Sequence, residues 1–140
     1  MFEVSHQWLQ PRYHLYYENP QTLDIIKYEK LVFSCLFYQP EKWIEFRSAI
    51  CAYLTKRKSP MSLIKTLSAL FINKPYLIPG ISKLMPKGCR IRSIKGNTFV
   101  FFPGVSNPSV LLKEEILKES KRLFMRKYLQ EKLLHYFYLY

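Results

Sequence analysis

The positions of the prolines constrain the fold of this 140-residue chain more than any other feature of its sequence. Proline has no amide hydrogen, so it fits an α-helix only in the first turn. Pro40 and Pro60 each precede residues that are apolar at helical spacing, and Ser59 can cap a helix that begins at Pro60. Both prolines therefore predict the start of a helix.

Helical periodicity predicts three helices before residue 72. The first begins near Thr22 and includes Leu23 to Phe37, of which ten of fifteen residues are apolar. These residues cover more than one face of the helix, so they predict that a second partner buries the additional apolar face. The next two helices follow Pro40 and Pro60, with breaks near 38–40, 55–60 and 72–75.

The stretch INKPYLIPGISKLMPKGCRI, residues 72–91, combines helical spacing with three prolines. Its apolar residues fall at i, i+1, i+4, i+7 and i+8, which is the pattern of a buried helix face. Pro75 can open a short helix, and Pro86 with Gly88 can close it. This predicts a short fourth helix with Pro79-Gly80 near its start, where a proline costs less.

The segment from Phe71 to Ile91 resembles, without gaps, the end of a paired amphipathic helix (PAH) domain of Sin-type transcriptional corepressors. The matching residues are Leu70-Phe71, Pro75, Leu77-Ile78, Gly80-Ile81, Leu84-Met85-Pro86, Gly88 and Arg90-Ile91. Gln39-Pro40, Trp43, Phe46, Ile50 and Tyr53 look like the second helix of that family, with Arg47 in place of a common leucine. The resemblance covers about residues 22–92.

The resemblance implies an all-α fold, a left-handed four-helix bundle, with a groove between helices one and two that binds an amphipathic helix of a transcription factor. The groove residues it implies are Ile25, Tyr28, Val32, Leu36, Trp43, Phe46, Ile50 and Tyr53. It also implies a nuclear corepressor and a partner histone deacetylase complex. Helix-in-groove binding would then rest on burial of the partner's apolar face.

The regions outside the bundle are predicted separately. Residues 1–21 form an aromatic-rich N-terminal segment, and residues 93–108 form a linker in which Thr98 to Phe102 could be a short strand. Residues 109–140 predict a long amphipathic helix, from Ser109 to about Phe137. One alternative is that this C-terminal helix fills the groove of the bundle.

The net charge of +12 supports a second interpretation, a basic helical protein that binds nucleic acid. No acidic residue lies between Glu45 and Glu114, while twelve basic residues do. Lys56-Arg57-Lys58 and the cluster of Arg90, Arg92 and Lys95 could contact phosphates, with aromatic rings stacking on bases. No run of about 18 apolar residues is present, so neither a transmembrane helix nor a membrane partner is expected.

Enzymatic activity is not expected from this sequence. His6, His14 and His135 are far apart, and neither a Gly-rich phosphate loop nor a metal-ligand spacing is present. Lys95 to Asn97 is typical of a turn. The three cysteines have no pairing pattern and are expected to be reduced, buried small residues, with no metal and no cofactor.

Overall fold

The computed structural model describes residues 20–139, with side chains described for residues 24–126 and for Leu129. It is a mixed α and β structure, so the predicted all-α fold is wrong. The helices are α1 (Pro20–Cys35), α2 (Pro40–Leu54), α3 (Pro60–Leu70) and α4 (Lys113–Leu139). The strands are β1 (Arg90–Ile94), β2 (Asn97–Phe101) and β3 (Ser109–Leu111).

The proline signals mark the starts of α2 and α3 as predicted. Pro40 and Pro60 are the first residues of these helices. The Ser59 hydroxyl accepts a 3.1 Å hydrogen bond from the Ser62 amide, which satisfies one donor of the first turn of α3. α1 begins at Pro20, two residues before the predicted cap at Thr22.

The predicted fourth helix is instead two short 3-10 turns, Pro75–Leu77 and Pro79–Leu84. The bonds are of the i to i+3 type, such as the Ile78 amide to the Pro75 carbonyl at 3.1 Å. Pro79 cannot donate the bond that would join the two turns into one helix. The predicted stripe is still buried: Leu77, Ile78, Ile81 and Met85 all face the core.

The sheet is the main error of the sequence prediction. The three strands are antiparallel in the order β1-β2-β3, with Arg90 opposite Phe101 and Phe99 opposite Val110. They include seven of the sixteen residues of the predicted linker (93, 94 and 97–101 of 93–108) and the first residues of the predicted C-terminal helix. The sequence pointed to one strand near Thr98, but a strand requires partners, and here both lie within about ten residues of it.

A two-residue turn connects β1 to β2, because Ile94 pairs with Asn97. Lys95 has φ of +52° and Gly96 has φ of +84°. Positive φ at both central residues is the geometry of a type I′ turn, whose twist matches that of the flanking strands. The predicted turn at Lys95 to Asn97 is therefore confirmed.

The inner face of the sheet packs on the second 3-10 turn through β1 and on α4 through β2, and a hydrogen bond joins it to α3. Ile91, Val100 and Leu111 are buried there, and the Thr98 hydroxyl donates a 3.1 Å hydrogen bond to the Ser68 hydroxyl. This bond gives each of these two buried hydroxyls a partner in place of the water that it loses on folding. The sheet thus closes one side of the helical core.

α4 packs against α3 and β2. The buried carboxylate of Glu119 accepts hydrogen bonds from Thr66 at 3.3 Å and from Arg122 at 2.7 Å. Further along, Arg126 donates to Glu45 of α2 at 2.7 Å. Up to Arg126 the helix therefore lies on the α3 side of the bundle and not between α1 and α2.

Several predictions fall outside the described residues. Residues 1–19 of the predicted N-terminal segment, with His6 and His14, are among them, as is the side chain of His135. Among the three cysteines, Cys89 is buried as expected, Cys35 is half-buried, and Cys51 is exposed on α2. Within the described residues, none of the helices has the length and apolar character needed to cross a membrane.

Candidate helix-binding seam between α1 and α2

The residues predicted to line an open groove mostly belong to the core of this chain. Six of them are buried, namely Tyr28, Val32, Leu36, Trp43, Phe46 and Ile50, whereas Ile25 and Tyr53 are half-buried. Phe46 has no exposed surface, and its ring packs against Tyr28, Trp43 and Phe71. These side chains form the floor between α1 and α2, so a partner could not reach them in this arrangement.

Aromatic rings fill the space between α1 and α2. The ring centroids of Tyr28 and Phe46 are 6.3 Å apart, and those of Phe33 and Trp43 are 5.1 Å apart, both in edge-to-face geometry. Trp43 also stacks on Phe46 at 5.4 Å. Aromatic pairs of this geometry contribute more to the stability of a fold than the burial of their surface area alone. The two helices are therefore joined by an aromatic layer.

Two stripes of side chains flank this layer on its outer side. On α1 the spacing i, i+3 and i+7 places Ile26, Glu29 and Phe33 on one side of the helix, and Phe37 follows them in the turn after Cys35. On α2 the spacing i, i+3, i+7 and i+10 does the same for Ile44, Arg47, Cys51 and Leu54. The contact of Glu29 with Arg47 shows that the two stripes face each other, and Phe33 contacts Trp43 of the aromatic layer beneath them. We call these eight residues the seam.

The seam exposes three large apolar side chains. Phe37 is 59% exposed, Ile44 is 50% exposed and Leu54 is 69% exposed. Phe37 continues the aromatic layer outward, since its ring meets that of Phe33 edge-on at 5.9 Å. Clustered apolar side chains of this kind typically mark an interaction surface, whereas single exposed ones do not.

An ion pair crosses the middle of the seam. The Arg47 guanidinium donates a 3.1 Å hydrogen bond to Glu29, and it also lies 5.7 Å from the Trp43 ring centroid. Burial raises the pKa of the Glu29 carboxyl, and the adjacent Arg47 opposes that shift by favouring the charged form. The ion pair thus fixes the register of the two stripes and supplies the polar group at their centre.

One end of the seam opens into a basic hollow of about 560 Å³. Its lining runs from Tyr53 to Pro60 around the end of α2 and includes Leu54, Lys56 and Arg57. The Lys58 ammonium beside it donates to the Thr66 hydroxyl at 3.0 Å, so its charge is directed toward α3. Lys56 and Arg57 are exposed, and they give this end of the seam a positive surface.

The sequence prediction placed a groove between α1 and α2 and chose residues that the structure mostly buries. It chose the centre of each apolar stripe, and the centre of a stripe is the part that a small core buries. The residues one position further around the helix remained at the surface. The apolar excess between Leu23 and Phe37 was a signal for them, because Ile26, Phe33 and Phe37 make up half of the six apolar residues outside the central stripe.

Within the described residues, the structure holds no group of His, Cys, Asp and Glu side chains arranged to bind a metal ion. Comparison with protein-family models, with curated proteins and with solved structures finds no match to this chain. Function is therefore inferred from the seam and its chemistry.

Proposed function

We propose that this chain is a protein-interaction module that binds one amphipathic helix of a partner along the seam. The observation that supports this most directly is the pair of facing apolar stripes at the surface, crossed by the Glu29–Arg47 ion pair. Side chains of Phe37, Ile44 and Leu54 would enclose the apolar face of a helix laid between them. This is helix-in-groove recognition, in which the partner presents apolar residues at i, i+3, i+4 and i+7.

The charge of the module narrows the chemistry of the partner. The net charge is +12, and Lys56 and Arg57 lie at one end of the seam. A partner helix with acidic residues at the end that meets this hollow would be attracted during encounter, and the attraction would also set its direction. Apolar burial would contribute about 25 cal/mol per Å² before the costs of association.

The resemblance to PAH domains suggests a cellular role for such a module. In that role the partner helix belongs to a transcription factor or repressor, and the protein acts as a transcriptional corepressor in the nucleus. A histone deacetylase complex would be a further partner. The seam argues for helix binding only, and the corepressor role depends on the resemblance.

Peptide binding by seam variants tests the proposal. The probe is a labelled helical peptide with leucines at i, i+3, i+4 and i+7 and glutamates at one end, and binding is measured by fluorescence anisotropy. Phe37→Ser and Ile44→Ser should each weaken binding by about 1 kcal/mol or more, because each removes an apolar wall. Their thermal melts should stay close to wild type, since both side chains are half exposed or more.

Leu31→Ser is the matched control. Leu31 is 49% exposed and lies two residues before Phe33, so it sits on nearly the opposite side of α1. Its substitution should leave peptide affinity unchanged. Equal losses for Leu31→Ser and Phe37→Ser, or no saturable binding by the wild-type protein, would exclude the seam as a helix-binding site.

A further inference from the structure

The outer face of the three-stranded sheet combines aromatic rings with arginines. Alternate residues of each strand point away from the core, since their neighbours Ile91, Thr98, Val100 and Leu111 are buried. The residues that point outward are Arg90, Arg92 and Ile94 on β1, Phe99 and Phe101 on β2, and Val110 on β3. This face lies outside the seam and has no part in the proposed function.

The register of the strands places each outward ring beside an arginine. Phe101 pairs with Arg90 and Phe99 pairs with Arg92 across β1 and β2. The guanidinium carbon of Arg90 lies 5.4 Å from the centroid of the Phe101 ring, within the range of a cation–π contact. The two rings follow each other along the central strand, about 7 Å apart at the backbone.

Packing within the chain does not explain why arginines and apolar side chains occupy the outer face of the sheet. Arg90, Arg92, Ile94 and Val110 are exposed, and both phenylalanines keep part of their surface accessible. The ion pairs found among the described residues involve neither Arg90 nor Arg92. On a sheet face that is only solvated, polar residues would be expected at Phe99 and Phe101 of β2.

The charged residues of the sheet and its hairpin are all basic, and the nearest acidic residues along the chain are Glu114 and Glu115 at the start of α4. Lys95 lies at the tip of the hairpin and is exposed, and Lys113 follows β3. No acidic residue occurs in the sequence between Glu45 and Glu114. Such a surface attracts a polyanion. The two phenylalanine rings offer a second kind of contact, which a phosphate group cannot make.

We propose that the outer face of the sheet binds single-stranded nucleic acid. Two adjacent bases stack on Phe99 and Phe101, and Arg90 and Arg92 contact the phosphates that flank them. Single strands fit this surface because their bases can unstack and lie on aromatic rings. A duplex keeps its bases stacked inside, so it offers this face only phosphates. An acidic peptide would meet the arginines but has no flat rings to cover the two phenylalanines.

Anisotropy titration of the full chain with labelled oligonucleotides tests this inference. The probes are a twelve-nucleotide oligouridine, the corresponding oligothymidine and a twelve-base-pair duplex. Both single strands should bind at least tenfold more tightly than the duplex at about 50 mM salt. Affinity should fall steeply as salt rises to about 200 mM, because bound phosphates release their counterions.

Two kinds of variant separate stacking from charge. Phe99→Leu and Phe101→Leu keep the apolar side chain but remove the ring, and each should weaken single-strand binding about fivefold or more. Arg92→Gln should weaken binding and lower the slope of log affinity against log salt by about 0.7. Lys30→Gln is the control, since Lys30 is an exposed cation on α1, and it should change neither quantity.

The outcomes decide the inference. Unchanged single-strand binding by folded Phe99→Leu and Phe101→Leu proteins would overturn it, as would duplex binding as tight as single-strand binding. If the leucine variants fail to fold, Arg92→Gln decides, because Arg92 is exposed and its loss leaves the core intact. A glutamate-rich peptide that displaces the oligonucleotide at equal concentration would assign the face to acidic protein segments instead. Peptide binding at the seam is measured separately, so either proposal can fail alone.

Discussion

The phenol oxygen of Tyr28 donates a 2.7 Å hydrogen bond to the main-chain carbonyl of Leu77, 49 residues further along the chain. Both residues are buried, and burial is the main reason that the pKa of Tyr28 is raised, with a smaller contribution from Cys35. The phenol therefore stays protonated and remains a donor. This bond joins α1 to the first 3-10 turn. The sequence analysis had assigned Tyr28 to the groove.

Tyr28→Phe is expected to lower the free energy of unfolding by about 1–2 kcal/mol. The substitution keeps the ring but leaves the buried Leu77 carbonyl without this donor. Urea denaturation measures the difference. Tyr76→Phe is the control: Tyr76 is exposed, its hydroxyl lies 3.6 Å from the Cys35 sulfur, and its loss should cost less than about 0.5 kcal/mol. Equal costs for the two variants would contradict the role given to Tyr28.

Gly80→Ala is expected to destabilise the protein by about 1–3 kcal/mol, as overpacked cores do. A Cβ at this position would lie 2.6 Å from Cδ1 of the Tyr28 ring, which is closer than the two atoms can approach. The same substitution in a Tyr28→Leu background should cost less, because the ring is gone. A double-mutant cycle in urea measures that coupling, and strictly additive costs would show that the two residues do not interact.

Phe46→Ala is expected to cost about 3–5 kcal/mol of stability, since it empties a fully buried ring site. Phe37→Ala removes a ring that is 59% exposed and should lower the melting temperature far less. Thermal melts of both proteins test the division of the α1–α2 contact into a buried floor and an exposed seam. Similar melting temperatures for the two variants would contradict it.

Lys56→Gly is expected to stabilise the protein by about 0.5–1 kcal/mol. Lys56 has φ of +61° after the end of α2, where the Arg57 amide bonds the Ala52 carbonyl at 2.8 Å and the Lys56 amide bonds Tyr53 at 3.0 Å. This is a Schellman arrangement, and glycine adopts its left-handed residue without strain. Lys56→Ala removes the same charge but keeps the strain, so it should not stabilise in the same urea experiment.

Acid should weaken the contact between α3 and α4. The hydrogen bond from Arg122 is the main reason that the pKa of Glu119 is lowered from 4.5, and Thr66 contributes in the same direction. An acid with a lowered pKa in the folded state stabilises the protein above pH 4.5, and this contribution is lost as the pH falls through the folded pKa.

The expected result is a decline in the free energy of unfolding below pH 4.5 that is smaller in Glu119→Gln. Denaturation at several pH values between about 3 and 7 measures it. Glu114→Gln is the control, because Glu114 is exposed at the start of the same helix, and it should follow the wild-type profile. A Glu119→Gln profile as steep as wild type would show that other carboxyls are responsible.

Local chemistry in the sequence was enough to predict the starts of α2 and α3 and the β-hairpin turn. Pro40 and Pro60 act through a missing amide hydrogen, Ser59 acts through a side-chain acceptor, and Lys95-Gly96 acts through its permitted φ angles. Each of these effects operates within four residues. No knowledge of the rest of the fold was needed to interpret them.

Tertiary structure alone decided the sheet and the position of the seam, whereas the split of the fourth helix also depends on the missing amide hydrogen of Pro79. β1 and β3 become strands because β2 lies between them, and such pairing energy belongs to no single segment. The segment around Pro79 follows 3-10 geometry while it packs against Tyr28 and the core. Whether Phe33 or Val32 reaches the surface depends on the angle at which α1 meets α2, because rotating a helix by one residue exchanges a buried position for an exposed one.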